Sequence, residues 1–428
     1  MEMRHIRGTQ PSGYATMSSV KLSLTPESSA PPTVSKGPKA PAVRTVLSLL
    51  LVLFSALNLR PLLTSVAPLL HDIQADLGLS NVWVSVLLTV PVVCLGVFGP
   101  LAAPLSRRFG LEGVLLAAVA TALGGALLRS FGLVPLYAGT ILIGAGISLL
   151  GILTPVLIKR DFPGKVGLMM GLFAMMLGLG AAVSTASVVP ITQALGGRWQ
   201  MGLAVWMLPL VPTALIALAR LATGGNGGRS AVQTKFGIMH DPVSWQLMGF
   251  FALFASLAYA LISWGPSMLM ARGLDAKTSG FVMSIYFLAQ IPSGLLVPII
   301  AGKMRDQRLV TTAMILLGTV GAMGLLLAPA WSLPGVALAV GIGQGGGFAV
   351  ALTLIVLRAG TPQVAARLSS VVQSVGYVVG GLVGPFAVGL LHDMTGDWLI
   401  VAVFFAVVGS ASLVLGYGAS RDRTVMAS

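Results

Sequence analysis

The first long apolar run of the chain, residues 43–71, reads VRTVLSLLLVLFSALNLRPLLTSVAPLLH. About 20 consecutive apolar residues are enough for a helix to cross the hydrocarbon core of a bilayer. This run exceeds that length, and the only charged residue away from its ends is Arg60. It is also much longer than the hydrophobic part of a signal peptide. We therefore predict a transmembrane helix here and an integral membrane protein.

The composition of the whole chain agrees with that prediction. Hydrophobic residues make up 56% of the 428 residues and charged residues 9%, whereas soluble domains carry roughly 25% charged residues. We predict an all-α integral membrane protein with twelve transmembrane helices, near residues 43–71, 81–103, 111–131, 135–158, 165–194, 199–221, 243–271, 278–301, 309–329, 333–357, 364–391 and 398–419. The remaining segments are predicted as a disordered cytoplasmic tail (1–42), a cytoplasmic connector (222–242) and a second cytoplasmic tail (421–428).

The distribution of basic residues predicts the orientation. Lys and Arg collect on the cytoplasmic side of membrane proteins, and the net charge of this chain is +14. If the N-terminus is inside and the helix count is even, all but five of the 26 basic residues fall on the inner side. The exceptions are Arg60, Arg129, Arg198, Arg272 and Lys277. We therefore predict cytoplasmic termini, and because the charges lie between apolar runs we expect no nucleic-acid binding.

The two halves of the sequence resemble each other in a register of 198–199 residues. Pro68 aligns with Pro266, Gly144-Ala-Gly146 with Gly343-Gln-Gly345, and Gly197-Arg-Trp199 with Gly396-Asp-Trp398. Six helices in each half, an even number, give parallel repeats related by an axis along the membrane normal. We predict two six-helix bundles, residues 43–221 and 243–420.

Two motifs carry a family resemblance that extends over residues 43–420. Asn-Leu-Arg-Pro at 58–61 and Lys-Arg-Asp-Phe-Pro at 159–163 resemble the cyanate permease and nitroimidazole transporter branch of the major facilitator superfamily. The resemblance implies alternating access about a site near the membrane midplane, in a bacterial cytoplasmic membrane. It also implies either uptake or exchange of a small anion such as cyanate, or export of a small nitro-aromatic compound.

A cytoplasmic gate is expected at the inner ends of the helices. In the loop after the second helix the superfamily usually has an acidic residue, and this chain has Arg107 there and Arg305 in the second half. The usual contact of that acidic residue with a helix N-terminus is therefore not implied here. We assign the gate to Arg107, Arg108, Asp161, Arg305 and Asp306.

Arg60 is the main candidate for substrate binding. An arginine at the centre of a transmembrane helix costs about 2.5–3.5 kcal/mol on insertion scales, and no acidic residue lies in the interior of any predicted helix. Its planar guanidinium is suited to small oxyanions. We predict that Arg60 is the central anion anchor; the alternative is that it binds backbone carbonyls freed where Pro61 breaks the helix.

Other polar side chains within apolar runs are candidates for the same cavity. Asn58 precedes Arg60 by two residues and would point about 200° away from it on an ideal helix. Tyr286 and Gln290 share one helix face, as do Gln373 and Tyr377. For each candidate the alternative is an interhelical hydrogen bond. The predicted substrate-binding set is Arg60, Asn58, Thr64, Trp264, Tyr286, Gln290, Gln344, Gln373 and Tyr377.

No nucleotide-binding, metal-binding or nucleophile–base motif is found, and Cys94 is the single cysteine. We predict a secondary active or facilitative transporter of a small, cyanate-like anion, not an enzyme, without cofactor or metal, acting as a monomer in the bilayer. The alternative is efflux of a small nitro-aromatic or neutral drug-like compound, with Trp264, Tyr286 and Tyr377 stacking on it and Arg60 purely structural. A sensor of the same fold would bind its ligand without net flux.

Overall fold

The computed structural model describes residues 42–223, 241–360 and 362–425, which belong to one compact unit. Twelve helices in these ranges are long and apolar enough to cross a membrane, which confirms the predicted fold class. In chain order, α1 to α12 span Val43–Leu77, Asn81–Phe109, Leu111–Leu128, Leu133–Asp161, Leu168–Ala194, Trp199–Ala222, Pro242–Met270, Ala276–Lys303, Arg308–Leu327, Ala330–Leu357, Arg367–Thr395 and Leu399–Ala419. The predicted N-terminal tail and most of the predicted connector lie outside the described residues.

The helices of each half pack in the same pattern. In the first half α1 contacts α5 and α6, while α4 contacts α2 and α3, and α3 contacts α6. The second half repeats these pairings as α7 with α11 and α12, α10 with α8 and α9, and α9 with α12. Between the halves, α2 packs on α11 and α5 packs on α8, as two parallel repeats related by a pseudo-two-fold axis require.

The helix ends define two faces of the molecule. We call the face where α1 begins and α12 ends the terminal face, and the other the distal face. At the distal face Asn81, which begins α2, donates a hydrogen bond of 2.7 Å to Asp393 at the end of α11. The same two helices approach closely where Gly389 meets Ser85. The two halves are therefore joined at the distal face.

Helix α1 is interrupted at its centre. Its first α-helical part, Ala42–Leu59, ends immediately before Arg60, and short helical pieces at Pro61–Thr64 and Ala67–Leu69 precede the last part, Leu70–Leu77. Proline has no N–H and cannot continue the hydrogen-bond ladder, so Pro61 and Pro68 account for the irregular stretch. The last part extends beyond the predicted end at residue 71, because its polar residues do not raise the local hydropathy. It ends before Gly78, whose φ is +61°.

Glycines permit the close helix approaches around this break. A Cβ on Gly180 of α5 would lie 2.3 Å from the Leu57 carbonyl oxygen of α1. A Cβ on Gly345 of α10 would lie 2.6 Å from Cα of Gln290 on α8. Because neither contact tolerates a side chain, α1 and α5, and likewise α8 and α10, pack backbone to backbone. The second contact places the polar side chains of α8 and α10 next to each other at mid-height.

Candidate functional site

A cavity lies where the break in α1 faces helices of the second half. Arg60 of α1 lines one side. The other sides come from α7, α8 and α10. The lining residues are Arg60, Ala258, Tyr259, Ile262, Gln290, Gln344 and Phe348. Arg60 and Tyr259 are near the middle of their helices, so the cavity lies near the centre of the membrane-spanning region.

The guanidinium of Arg60 has no counter-charge among the described residues. The side chain is half-buried, and within the part of the chain that the structure describes it makes no hydrogen bond or ion pair. A charge that is partly removed from water without a partner is costly. A small anion in the cavity would supply that partner.

A neighbouring glutamine also lacks partners within the described residues. Both amide atoms of Gln344 are buried and make no hydrogen bond there, whereas the Tyr286 hydroxyl interacts with the Gln290 amide one turn away on α8. A buried polar group without a partner costs about 1–3 kcal/mol. Such groups are rare in folded proteins and each calls for a specific explanation. For polar groups around a central cavity, the explanation is a polar ligand or a water molecule that enters the cavity and supplies the missing hydrogen-bond partner.

Aromatic rings form the rest of the wall. Tyr259 and Phe348 line the cavity directly. Behind them, Phe251 packs on Phe348 and on Tyr377 with ring centroids 5.3 Å apart in both pairs. Tyr377 also meets Tyr259 edge to face at 6.0 Å. The cavity therefore combines a cation, the free amide of Gln344 and flat apolar surfaces.

Three of the predicted substrate-binding residues, Arg60, Gln290 and Gln344, line this cavity. Tyr377 lies beside it, with its ring centroid 6.0 Å from that of Tyr259, and Tyr286 precedes Gln290 by one turn of α8.

Asn58 and Thr64 are turned away from the cavity and bond within the first half. Asn58 donates to the Pro209 carbonyl (3.1 Å) and to the Thr213 hydroxyl (2.9 Å) of α6. The Thr64 hydroxyl is 2.6 Å from that of Ser184 on α5. These are the interhelical bonds that the sequence leaves open as the alternative.

Trp264 and Gln373 also have partners elsewhere. Trp264 donates through its indole nitrogen to the Pro385 carbonyl of α11 at 2.8 Å, and its ring lies 6.0 Å from that of Trp398. The Gln373 amide donates to the Ser369 hydroxyl in the preceding turn of the same helix, at 2.6 Å. Neither residue lines the Arg60 cavity.

Sequence reasoning did not select Tyr259 and Phe348. A signal for Tyr259 was present in the repeat, since a shift of 198 residues carries Arg60 and Pro61 onto Ala258 and Tyr259. Equivalent positions of two parallel repeats face each other across the central axis, so this shift indicates the segment of α7 opposite Arg60. No comparable signal marks Phe348 among the apolar residues of α10.

Arg129, at the end of α3, is a deeply buried arginine. It donates to the Leu62 carbonyl of α1 at 3.0 Å and to the Leu203 carbonyl of α6 at 3.2 Å. In the interrupted part of α1 the Val66 N–H bonds to the Leu63 carbonyl and not to that of Leu62. Arg129 therefore fills the structural role, support of the α1 break, that was the alternative for Arg60.

Asp161 lies in an ionic cluster at the terminal face. It accepts hydrogen bonds from Ser48 of α1 (2.6 Å) and from Arg220 of α6 (2.7 Å). Arg160 pairs with Asp161 at 2.8 Å and with Glu112 of α3 at 2.6 Å. All of these groups belong to the first half, so the cluster ties together α1, α3, α4 and α6.

The other residues assigned to the gate lie at the surface of the terminal face. Arg107, Arg108, Arg305 and Asp306 are exposed. Asp306 has an ion pair at 3.6 Å with its neighbour Arg308, and Arg108 lies over the ring of Phe109. Among the described residues, none of the five makes an ion pair between the two halves.

The architecture and the cavity define the protein as a polytopic helical carrier with a polar site between two repeated halves. The chain belongs to the Major Facilitator Superfamily, whose sequence profile matches residues 47–385. It is 34% identical to a 2-nitroimidazole transporter of Escherichia coli (strain K12), over 87% of this chain and 95% of the relative. It is 31% identical to a cyanate transport protein of the same organism, over 87% and 97%. The predicted resemblance is thereby confirmed.

Comparison with solved structures agrees on the fold. The D-xylose-proton symporter superimposes with a TM-score of 0.70 at 15% identity, covering 89% of this chain and 97% of the symporter. A bacterial homologue of the human lysosomal transporter Spinster gives 0.68 at 16% identity, covering 89% and 94%. The family and the relatives are transporters, so the prediction that the chain is a transporter and not an enzyme is confirmed.

Proposed function

We propose that this protein carries a small anion across the membrane by alternating access, as a secondary active or facilitative transporter, with Arg60 as the anchor of the anion. The observation that carries the proposal is the Arg60 guanidinium, which faces the central cavity with no ion pair or hydrogen bond within the described residues. The free amide of Gln344 beside it adds a neutral donor. Together they form a site for a small solute with electron-rich oxygen or nitrogen atoms.

The same charge gives a reason for coupling between occupancy and movement. Closing the two halves around an empty cavity removes a lone cation from water, which is unfavourable. A bound anion neutralises that cation and lowers the cost of closure. A ligand shifts a conformational equilibrium by its difference in affinity for the two states, so anion binding favours passage through the closed state. We also propose that the terminal face, which carries most of the basic residues, faces the cytoplasm.

The test compares Arg60→Lys and Arg60→Gln with Arg421→Gln, a control at an exposed arginine outside the assigned gate. Purified proteins in liposomes are assayed for uptake of radiolabelled cyanate. Two charge-assisted hydrogen bonds are together worth about 3–6 kcal/mol, so Arg60→Gln is expected to weaken cyanate binding at least about 100-fold. Arg60→Lys keeps the charge but loses the planar fork and is expected to lie between wild type and Arg60→Gln. Wild-type uptake by both Arg60 variants would reject the anchor.

The aromatic wall favours a second candidate, efflux of a small nitro-aromatic compound. A planar ring could stack between Tyr259 and Phe348, both of which line the cavity, with its nitro oxygens on Arg60. The relative named a 2-nitroimidazole transporter has 34% identity. Phe348→Leu separates the candidates, because it is expected to weaken 2-nitroimidazole binding several-fold while leaving cyanate binding unchanged. Competition of each compound with the other shows which one the wild-type protein prefers.

A further inference from the structure

A second cavity lies on the distal side of the Arg60 cavity. It lies between α1, α2, α4 and α7, and Arg129 contributes to its wall. Thr140 lines it near the distal start of α4, and Ser263 near the distal end of α7. Tyr259 and Ile262 line both cavities. The two spaces are therefore neighbours along one path, separated by these two side chains.

The distal cavity contains a positive charge with unused donors. Arg129 is 1% exposed, and its Nε is buried without a hydrogen-bond partner. Its two terminal nitrogens each donate to one carbonyl, and each carries a second N–H. Among the described residues no carboxylate pairs with it. The carbonyl bonds satisfy part of the guanidinium but leave its net charge uncompensated.

We propose that Arg129 forms a second, weaker anion-binding station on the distal side, so that the solute passes between two guanidiniums, with Tyr259 and Ile262 forming the constriction between them. This inference rests on the proposed function, from which it takes a small anion as the ligand. Arg129 binds the anion less tightly than Arg60 because two of its N–H groups are committed to the Leu62 and Leu203 carbonyls. A pathway needs such a gradient, since each station must bind well enough to be entered and weakly enough to be left.

The direct test counts binding sites with radiolabelled cyanate on the purified full-length protein. Wild type is expected to show a tight class and a weak class of sites. Arg60→Gln is expected to retain only the weak class, and Arg129→Gln only the tight class. A wild-type protein with one class, all of it lost in Arg60→Gln, would overturn the distal station. Loss of neither class in Arg60→Gln would instead count against the proposed function.

A second measurement leaves Arg129 unchanged, since this residue also supports the α1 break. Ser263→Cys is introduced with Cys94→Ala, which removes the chain's only cysteine, and with Arg60→Gln, which removes the central cation. Anionic and cationic methanethiosulfonates of similar size are then compared. Electrostatic focusing changes encounter rates by about 10- to 1,000-fold, so the anionic reagent is expected to react at least about tenfold faster, and cyanate to slow it. A faster cationic reagent, or labelling that cyanate leaves unchanged, contradicts the station.

Discussion

Gln344 offers a test in which stability and binding should change in opposite directions. Its side chain is 1% exposed, it lines the Arg60 cavity, and neither end of its amide has a hydrogen-bond partner in the described part of the chain. Gln344→Met keeps a similar volume and removes both polar atoms. Since an unsatisfied buried polar group costs about 1–3 kcal/mol, the variant is expected to stabilise the ligand-free protein by an amount in that range.

Binding is expected to move the other way. An N–H donated to an anion is worth about 1.5–3 kcal/mol, and each 1.4 kcal/mol corresponds to a factor of ten in the dissociation constant. Gln344→Met should therefore weaken cyanate binding roughly 10- to 100-fold. A protein that gives up stability at its binding site and recovers it when that site is disabled shows the usual trade-off between stability and activity.

A second buried glutamine provides the matched control. Gln307 is 3% exposed, but its amide donates to the carbonyls of Ala301 (3.3 Å) and Met304 (2.7 Å) and accepts from Arg358. Gln307→Met removes these bonds and leaves part of a buried guanidinium unpaired. It is expected to destabilise the protein by about 1–3 kcal/mol and to leave cyanate affinity unchanged.

Thermal unfolding in detergent, with and without cyanate, measures both effects on the same samples. The expected pattern is a higher midpoint for ligand-free Gln344→Met, a smaller rise on adding cyanate than in wild type, and a lower midpoint for Gln307→Met. If Gln344→Met unfolds as early as Gln307→Met and binds cyanate normally, then the Gln344 amide is satisfied inside the protein. The cavity would then not be the site.

Two further predictions concern packing and charge away from the cavity. Asp161→Asn removes the carboxylate that pairs with Arg220, a fully buried arginine, and breaking a buried ion pair costs about 3–5 kcal/mol of stability. Asp306→Asn, at the exposed ion pair with Arg308, should cost below about 1 kcal/mol. The unfolding midpoints of the two variants measure this difference. Gly347→Ala would place its Cβ 2.3 Å from a buried phenylalanine ring of α7 and should cost about 1–3 kcal/mol. Gly335→Ala on the same helix meets nothing within 4 Å and should be neutral or stabilising, so equal losses in both glycine variants would contradict this reasoning.

The number and class of the helices followed from hydropathy because the bilayer imposes a length requirement on each span separately. That requirement ends at the membrane surface. The polar residues that extend α1 to Leu77 and α2 to Phe109 lie beyond the predicted ends of those helices, and apolar length gave no information about them. The offset of 198–199 residues between the repeats was likewise apparent from the sequence alone, because the helices of both halves pack in the same pattern.

The lining of the cavity was only partly predictable, because a polar residue in an apolar helix bonds to the nearest acceptor in three dimensions. Asn58 and Arg60 are two residues apart, yet Asn58 bonds to α6 while Arg60 faces the second half. Asp161 similarly accepts a hydrogen bond from Arg220, which lies 59 positions away in the chain. The partner that a side chain reaches depends on the rotation of each helix about its axis and on the distances between helices, neither of which the order of residues specifies.

By itself the amino-acid sequence determined a twelve-helix membrane protein of two repeated halves, with an arginine at the centre of its first helix, because span length and repeat register are properties of consecutive residues. Only the tertiary structure decided that Arg129, not Arg60, supports the broken backbone of α1, and that Arg60 lies beside the free amide of Gln344 without a partner among the described residues. The physical reason is that the hydrogen-bond partners of these side chains lie on neighbouring helices. A group's partners, or their absence, become known only when the neighbouring helices are in place.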